Sequence, residues 1–209
     1  MSSEHLILAA VEGPTDEVVI RRLIKEAGAA TGTVYGRNGK SVLREKIDAY
    51  NKAACRFPWV VLVDLDQDYG CAPSLRSSWI PNPAPWMCFR IAVREVEAWL
   101  LADAERLSRF LSVPLAKFPH SPEELDHPKR IMVELAQYSR RYDIKRDMVP
   151  RVNSGRLTGP AYASRLIEFV SHPEFGWRPT VAAKRSDSLR RSLDCLHGLI
   201  GKFPWLGTR

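Results

Sequence analysis

The sequence predicts an α/β protein: a mostly parallel sheet flanked by helices, followed by a helical C-terminal region. Three observations predict it. Short apolar runs at Leu6–Val11, Trp59–Val63 and Met87–Val93 have the length and β-branched content of buried strands. Segments with helical periodicity lie between the early runs, the alternation expected of βαβ units. After Asp103 no further run has strand character, and the remaining apolar residues fall in helical patterns.

Taken in order, Leu6 to Val11 runs into Glu12-Gly13-Pro14, a strand entering a turn. Pro14 suits the first position of a helix, Asp16 and Glu17 face its positive end, and Ile20, Leu23, Ile24 and Ala27 form a stripe that Gly28 stops. Thr33 to Tyr35 is a weak second strand, and Ser41 to Ala54 a second helix. Trp59-Val60-Val61-Leu62-Val63 is the strongest strand in the chain and ends abruptly at Asp64-Leu65-Asp66-Gln67-Asp68. Tyr69 to Trp86, rich in Pro, Ser and Gly, reads as a loop. The strand Met87 to Val93 then meets Arg94-Glu95-Val96-Glu97 and a helix over Ala98 to Ala102. Helices are expected at Leu107–Leu111, Pro128–Tyr138, Pro160–Val170 and Ser186–Ile200. This divides the chain into an α/β core over 1–103 and a helical region over 104–209, the two forming either separate bodies or one domain.

Composition is that of a folded protein, with 45% hydrophobic and 26% charged residues. Cys55, Cys71, Cys88 and Cys195 are far apart and form no CxxC pair, which is read as four reduced thiols in a cytoplasmic protein. No run approaches the roughly 18 apolar residues of a membrane span, and the start lacks a signal-peptide pattern, so no membrane partner is expected. A net charge of +7 and a pI near 9.4 suit a polyanionic partner, DNA or RNA. Oligomeric state is not legible.

The acids carry the chemistry. Glu12, Asp64, Asp66, Glu95 and Glu97 all fall at or just past strand ends, and parallel connections bring such ends to one edge, where open α/β sheets bind ligands. Converging carboxylates repel unless a cation neutralises them, and a hard ion with oxygen ligands, Mg²⁺ or Mn²⁺, fits. Asp64-x-Asp66 places both acids on the same side of a strand end.

Val11-Glu12-Gly13 followed by Val63-Asp64-Leu65-Asp66 resembles the TOPRIM signature of primases, topoisomerases and OLD-family nucleases. Glu12-Gly13-Pro14-Thr15-Asp16, Glu95-Val96-Glu97-Ala98-Trp99-Leu100, Gly159-Pro160-Ala161-Tyr162 and Ser186-Asp187-Ser188-Leu189 resemble more narrowly an uncharacterised bacterial family with a TOPRIM-like core. The resemblance implies phosphodiester chemistry with Glu12 as general acid, general base or metal ligand, and Asp64 and Asp66 as metal ligands. It implies a second ion at Asp68 or at Glu95 and Glu97.

Basic groups complete the expected site. Gly36-Arg37-Asn38-Gly39-Lys40-Ser41 has Val34 where a phosphate loop needs glycine, which argues against an ATP site; it reads first as a simple turn and helix cap, with contact between Lys40 and a nucleic-acid phosphate as the alternative. Lys184 or Arg185 either balances a scissile phosphate, the former in a catalytic role, or belongs to a solvated helix start, and Arg151, Arg156 and Arg185 are candidates to touch nucleic acid. Arg140, Arg141, Lys145 and Arg146 read as a solvated face. Trp79 and Trp86, in the loop, are candidates to stack on bases. The leading expectation is a Mg²⁺-dependent nuclease or phosphodiesterase. The alternative is a non-catalytic TOPRIM-like nucleic-acid or nucleotide module that works with a separate ATPase in defence or repair.

Overall fold

The computed structural model describes residues 5–204. Four strands, β1 (Leu6–Val11), β2 (Ala30–Gly36), β3 (Trp59–Asp64) and β4 (Met87–Ala92), form one sheet in the order β2-β1-β3-β4, with every pairing parallel. The continuous apolar run behaves as expected: Trp59 through Val63 are all buried. β2 is longer than the weak run that announced it, because its backbone pairs along β1 although its side chains are mostly exposed or half-buried.

Helices α1 (Pro14–Glu26) and α2 (Lys40–Ala53) are the first two crossovers. α1 opens on Pro14, with the Asp16 carboxylate accepting the Gly13 N–H at 2.8 Å, and buries Val19, Ile20, Leu23 and Ile24. The segment expected as loop contains helix α3 (Ala72–Trp79). Its composition is poor for a helix, but Pro73 lies in the first turn, and Leu75 and Trp79, four apart, are buried. Tertiary burial here overrides local preference.

The remaining helices are α4 (Val96–Leu101), α5 (Ala104–Leu111), α6 (Pro128–Gln137), α7 (Tyr142–Met148), α8 (Tyr162–Ser171), α9 (Pro179–Ala182) and α10 (Asp187–Lys202). α7 and α9 are too short to show a full apolar stripe in sequence. The chain divides into two compact units, one holding everything up to Val93 together with Ser188 onward, the other Arg94–Asp187. The division at Asp103 expected from sequence differs from this at both ends. α4 belongs to the helical unit, where the buried Trp177 indole N–H donates to the Trp99 carbonyl at 3.1 Å. Most of α10 belongs to the sheet unit, burying Leu189, Leu193, Leu196 and Leu199.

In the sheet unit, Cys88 on β4 and Cys195 on α10 form a disulfide, with Cα atoms 6.1 Å apart and 107 residues between them in sequence. This corrects the expectation of four reduced thiols: only Cys55 and Cys71 are free. Nothing local in the sequence announces a pair so widely separated.

In the helical unit, Asp103 is buried and accepts three hydrogen bonds from Arg178: from its backbone N–H at 2.9 Å, Nε at 3.0 Å and Nη2 at 2.6 Å. Asp103→Ala removes the buried partner of that fork and leaves it Glu105, 3.0 Å from Nη2 and 65% exposed. Because the Arg178 side chain keeps 31% exposure, the expected loss is about 2–3 kcal/mol rather than the larger cost of a wholly buried pair, read as a shift in denaturant midpoint.

Candidate functional site

Chain order takes β2 to one side of β1 and β3 to the other, so strand order reverses between β1 and β3, and ligands of open α/β sheets bind outside the carboxyl ends at that point. The register fixes which residues stand there. Ala10 pairs with Val61, so Glu12 falls just beyond the last turn of pleat, level with the end of β3. Its Oε1 accepts the Asp64 N–H at 2.8 Å. Leu65 N–H donates to the Ala92 carbonyl at 2.9 Å, which carries the end of β3 across to β4 and turns the chain sharply. Asp66 then adopts a left-handed backbone, φ 51°, a conformation Asp tolerates better than most residues.

The loop between β2 and α2 is pinned onto the end of β1. Arg37 N–H donates to the Val11 carbonyl at 2.9 Å, and Gly39 N–H to the Glu12 carbonyl at 3.0 Å. Gly36, at φ +87°, makes this approach: a Cβ there would lie 2.2 Å from the Val11 carbonyl oxygen. Gly36→Ala is therefore expected to cost roughly 1–3 kcal/mol in denaturant unfolding and to loosen the site. The consequence of the pin is the position of Lys40, the first residue of α2. Its Nζ lies 2.8 Å from Asp66 Oδ2 and 2.8 Å from Asp68 Oδ2, and 3.4 Å from the Leu65 carbonyl.

These groups set one another's protonation. Burial pushes the Glu12 carboxyl up to about 7, against the opposing pull of the Asp64 amide and Lys40, while Asp66 and Asp68 add to the rise. Burial works against the Lys40 charge, yet the hydrogen bonds to Asp66 and Asp68 hold its pKa above the ordinary lysine value. The edge thus holds a partly buried carboxyl that titrates near neutrality and an ammonium clamped by two aspartates.

Glu12, Asp64, Asp66 and Asp68 are therefore gathered at one edge of the sheet unit as their strand-end positions imply. Lys40 stands with them, but its ammonium faces aspartates, where the sequence reading gave it a phosphate. As the side chains stand, no three His, Cys, Asp or Glu residues among those described are grouped to hold a metal ion. The donor chemistry nonetheless fits a hard divalent cation: oxygen ligands only, already holding one positive charge between them. Glu12, Asp64 and Asp66 would hold such an ion, with Asp68 beside them.

Glu95 and Glu97 belong to the helical unit. Glu95 is the residue before α4, and its Oε2 accepts the Lys129 backbone N–H at 2.8 Å in the first turn of α6. Glu97 is buried. Its Oε1 accepts from the Tyr162 hydroxyl at 3.1 Å and lies 3.7 Å from Lys129 Nζ, whereas its Oε2 is buried with no hydrogen-bond partner among the described residues. Burial raises the Glu97 carboxyl, Lys129 opposes it, and Glu95 adds to the rise. A cavity of about 500 Å³ opens beside Glu95 and Lys129. Trp99, next but one after Glu97, is wholly buried.

The other expected contacts fare unequally. Arg151 and Arg156 lie in a fully exposed loop, and Lys184 is exposed as well. Arg185 is engaged by the fold, its Nη2 donating to the carbonyls of Pro119 at 2.8 Å and His120 at 3.1 Å. The helix start at Ser186 is held by Glu123, which accepts from Ser186 Oγ at 2.6 Å and from Asp187 N–H at 3.0 Å. Arg141 and Arg146 are paired with Asp143 and Asp147, so that basic run is in part a salt-bridged surface. Trp79 is buried against Phe89 with Arg44 over its ring, which removes it as a base-stacking platform; Trp86 packs edge-on to Phe203. Lys129 and Tyr162 were missed as partners of Glu97; the only sequence signal was Tyr162's place in the Gly-Pro-Ala-Tyr motif.

Fold and edge define a parallel α/β protein with an acid–lysine cluster at the carboxyl end of its central strands. The chain belongs to the family described as domain of unknown function DUF4276, which matches residues 11–171. The matched span begins one residue before Glu12 and takes in both carboxylate clusters. No curated protein and no solved structure matches the chain.

Proposed function

We propose that this edge is a TOPRIM-like site at which a divalent cation, Mg²⁺ or Mn²⁺, supports phosphodiester cleavage of nucleic acid. The observation that carries the reading is the junction of Glu12 with the end of β3: the Glu12 carboxylate accepts the backbone N–H of Asp64 at 2.8 Å, with Asp66 and Asp68 close enough to act on its charge, at the switch point of the sheet. The order of a glutamate after the first strand and Asp-x-Asp after the third supports the TOPRIM comparison, and the net charge of +7 supports a polyanionic substrate. When bound, the cation supplies Lewis-acid stabilisation and an activated water. Glu12, whose carboxyl burial raises to about 7 in the ion-free site, would hold or release a proton at the end of β3.

The test is cleavage of labelled DNA and RNA, single- and double-stranded, with Mg²⁺ or Mn²⁺ against chelator, for the wild type and the Asp64→Ala, Asp66→Ala double variant. Cation-dependent cleavage lost in the variant is expected. One observation favours a second reading: Lys40 already neutralises Asp66 and Asp68, as it would in a non-catalytic binding module whose ATPase partner acts from a separate chain. Cleavage that appears only when such a partner is added would select it.

A further inference from the structure

We infer that Lys40 is the resident counter-ion of the edge site, displaced when a divalent cation enters. The inference rests on the reading of the edge as a divalent-cation site and goes beyond it by assigning what holds the site before the ion arrives.

Three observations point to it. The Lys40 ammonium touches Asp66 and Asp68 at the same 2.8 Å separation, so it spans the pair rather than serving one member. Its side chain is 18% exposed while those of Asp66 and Asp68 are 40% and 56% exposed, so solvent reaches both carboxylates more readily than it reaches the ammonium. The lysine stem starts at the first residue of α2, held by the Gly39–Glu12 backbone hydrogen bond, so the ammonium can swing while its root stays fixed.

The helical unit supplies a contrast. Lys129 also lies against acids two apart, Glu95 and Glu97 at 3.3 and 3.7 Å, but there Glu97 is buried to 3% exposure. Lys129 compensates a carboxylate that solvent cannot reach, which is a structural duty. Lys40 spans acids that solvent does reach, where charge compensation from inside the fold is not required for burial.

The consequence is competition between two cations for the same oxygens. Mn²⁺ alone, titrated calorimetrically, is expected to bind Lys40→Gln roughly tenfold or more tightly than the wild type, because the variant has no charge to displace. A measurement on the unmutated chain guards against a folding defect. Amine acylation resolved by peptide mass spectrometry is expected to show Lys40 becoming several-fold more reactive on Mn²⁺ addition, relative to the other lysines. Equal or weaker Mn²⁺ binding by Lys40→Gln, or Lys40 reactivity that Mn²⁺ leaves unchanged in a chain that binds it, overturns this inference alone. No Mn²⁺ binding by either chain overturns the cation-site reading together with it.

Discussion

Glu12→Gln is expected to raise stability at pH 8 by up to about 3 kcal/mol in the absence of divalent ions, while sharply lowering the proposed activity. The sign follows from linkage. Because burial raises the Glu12 carboxyl from 4.5 to about 7, the folded chain holds this proton more tightly than the unfolded chain does. The stabilisation that protonation brings is fully present below pH 4.5 and is lost as pH rises to about 7, after which it is flat. Glutamine carries no charge at any of these pH values and keeps an oxygen for the Asp64 N–H, so its stability curve lacks that decline. Wild type and variant should coincide near pH 4 and separate progressively up to pH 7, read from denaturant midpoints at fixed m-value. Carboxylates elsewhere titrate in both proteins and cancel in the difference. Cleavage should fall by about 10²–10⁴-fold, the range for removal of a general acid or base. A variant less stable than wild type at pH 8 would show that the Glu12 charge is compensated in the fold.

The second large effect concerns the disulfide. Cys88 and Cys195 lie just outside the two points where the chain leaves the sheet unit, at Val93, and returns to it, at Ser188. The cross-link therefore closes a loop that contains the whole helical unit. Loop-closure entropy for 107 residues corresponds to about 5 kcal/mol of stabilisation relative to the reduced unfolded chain. Cys88→Ser, or treatment with a dithiol reductant, should lower the stability of the sheet unit by about 4–5 kcal/mol, and reductant should have no further effect on the variant. Should reductant leave the wild-type midpoint where it was, the two thiols are not bonded in solution.

How much of this was legible in the sequence depends on whether the signal was local. β3 was plain because five consecutive apolar residues end at an acid, and α1 because a proline, two acids and a 3.6-residue stripe coincide. The gathering of Glu12, Asp64 and Asp66 was legible for a topological reason: parallel strands put their carboxyl ends on one edge, whatever the distance in sequence. α3 was not legible, since its helicity comes from burying Leu75 and Trp79 rather than from composition. Neither was the Cys88–Cys195 bond, nor Lys40's choice of Asp66 and Asp68 over a ligand phosphate, because both depend on which distant residues the fold brings near. Glu95 and Glu97 were grouped with the strand-end acids because the strand Met87 to Val93 runs straight into them; the structure assigns them to the helical unit, where Glu95 engages α6 and Glu97 is buried beside Tyr162. Arg185 is exposed, but its bonds to the Pro119 and His120 carbonyls, 66 and 65 residues away, were not legible either.

The central claim is that the acids at the carboxyl ends of β1 and β3 hold a divalent cation. Its most direct test is calorimetric titration of Mn²⁺ into the wild type and into the Asp64→Ala, Asp66→Ala double variant, both checked for folding by circular dichroism. Saturable binding by the wild type that disappears in the variant is the predicted result; undiminished binding by the variant, or no binding by either folded protein, would contradict it.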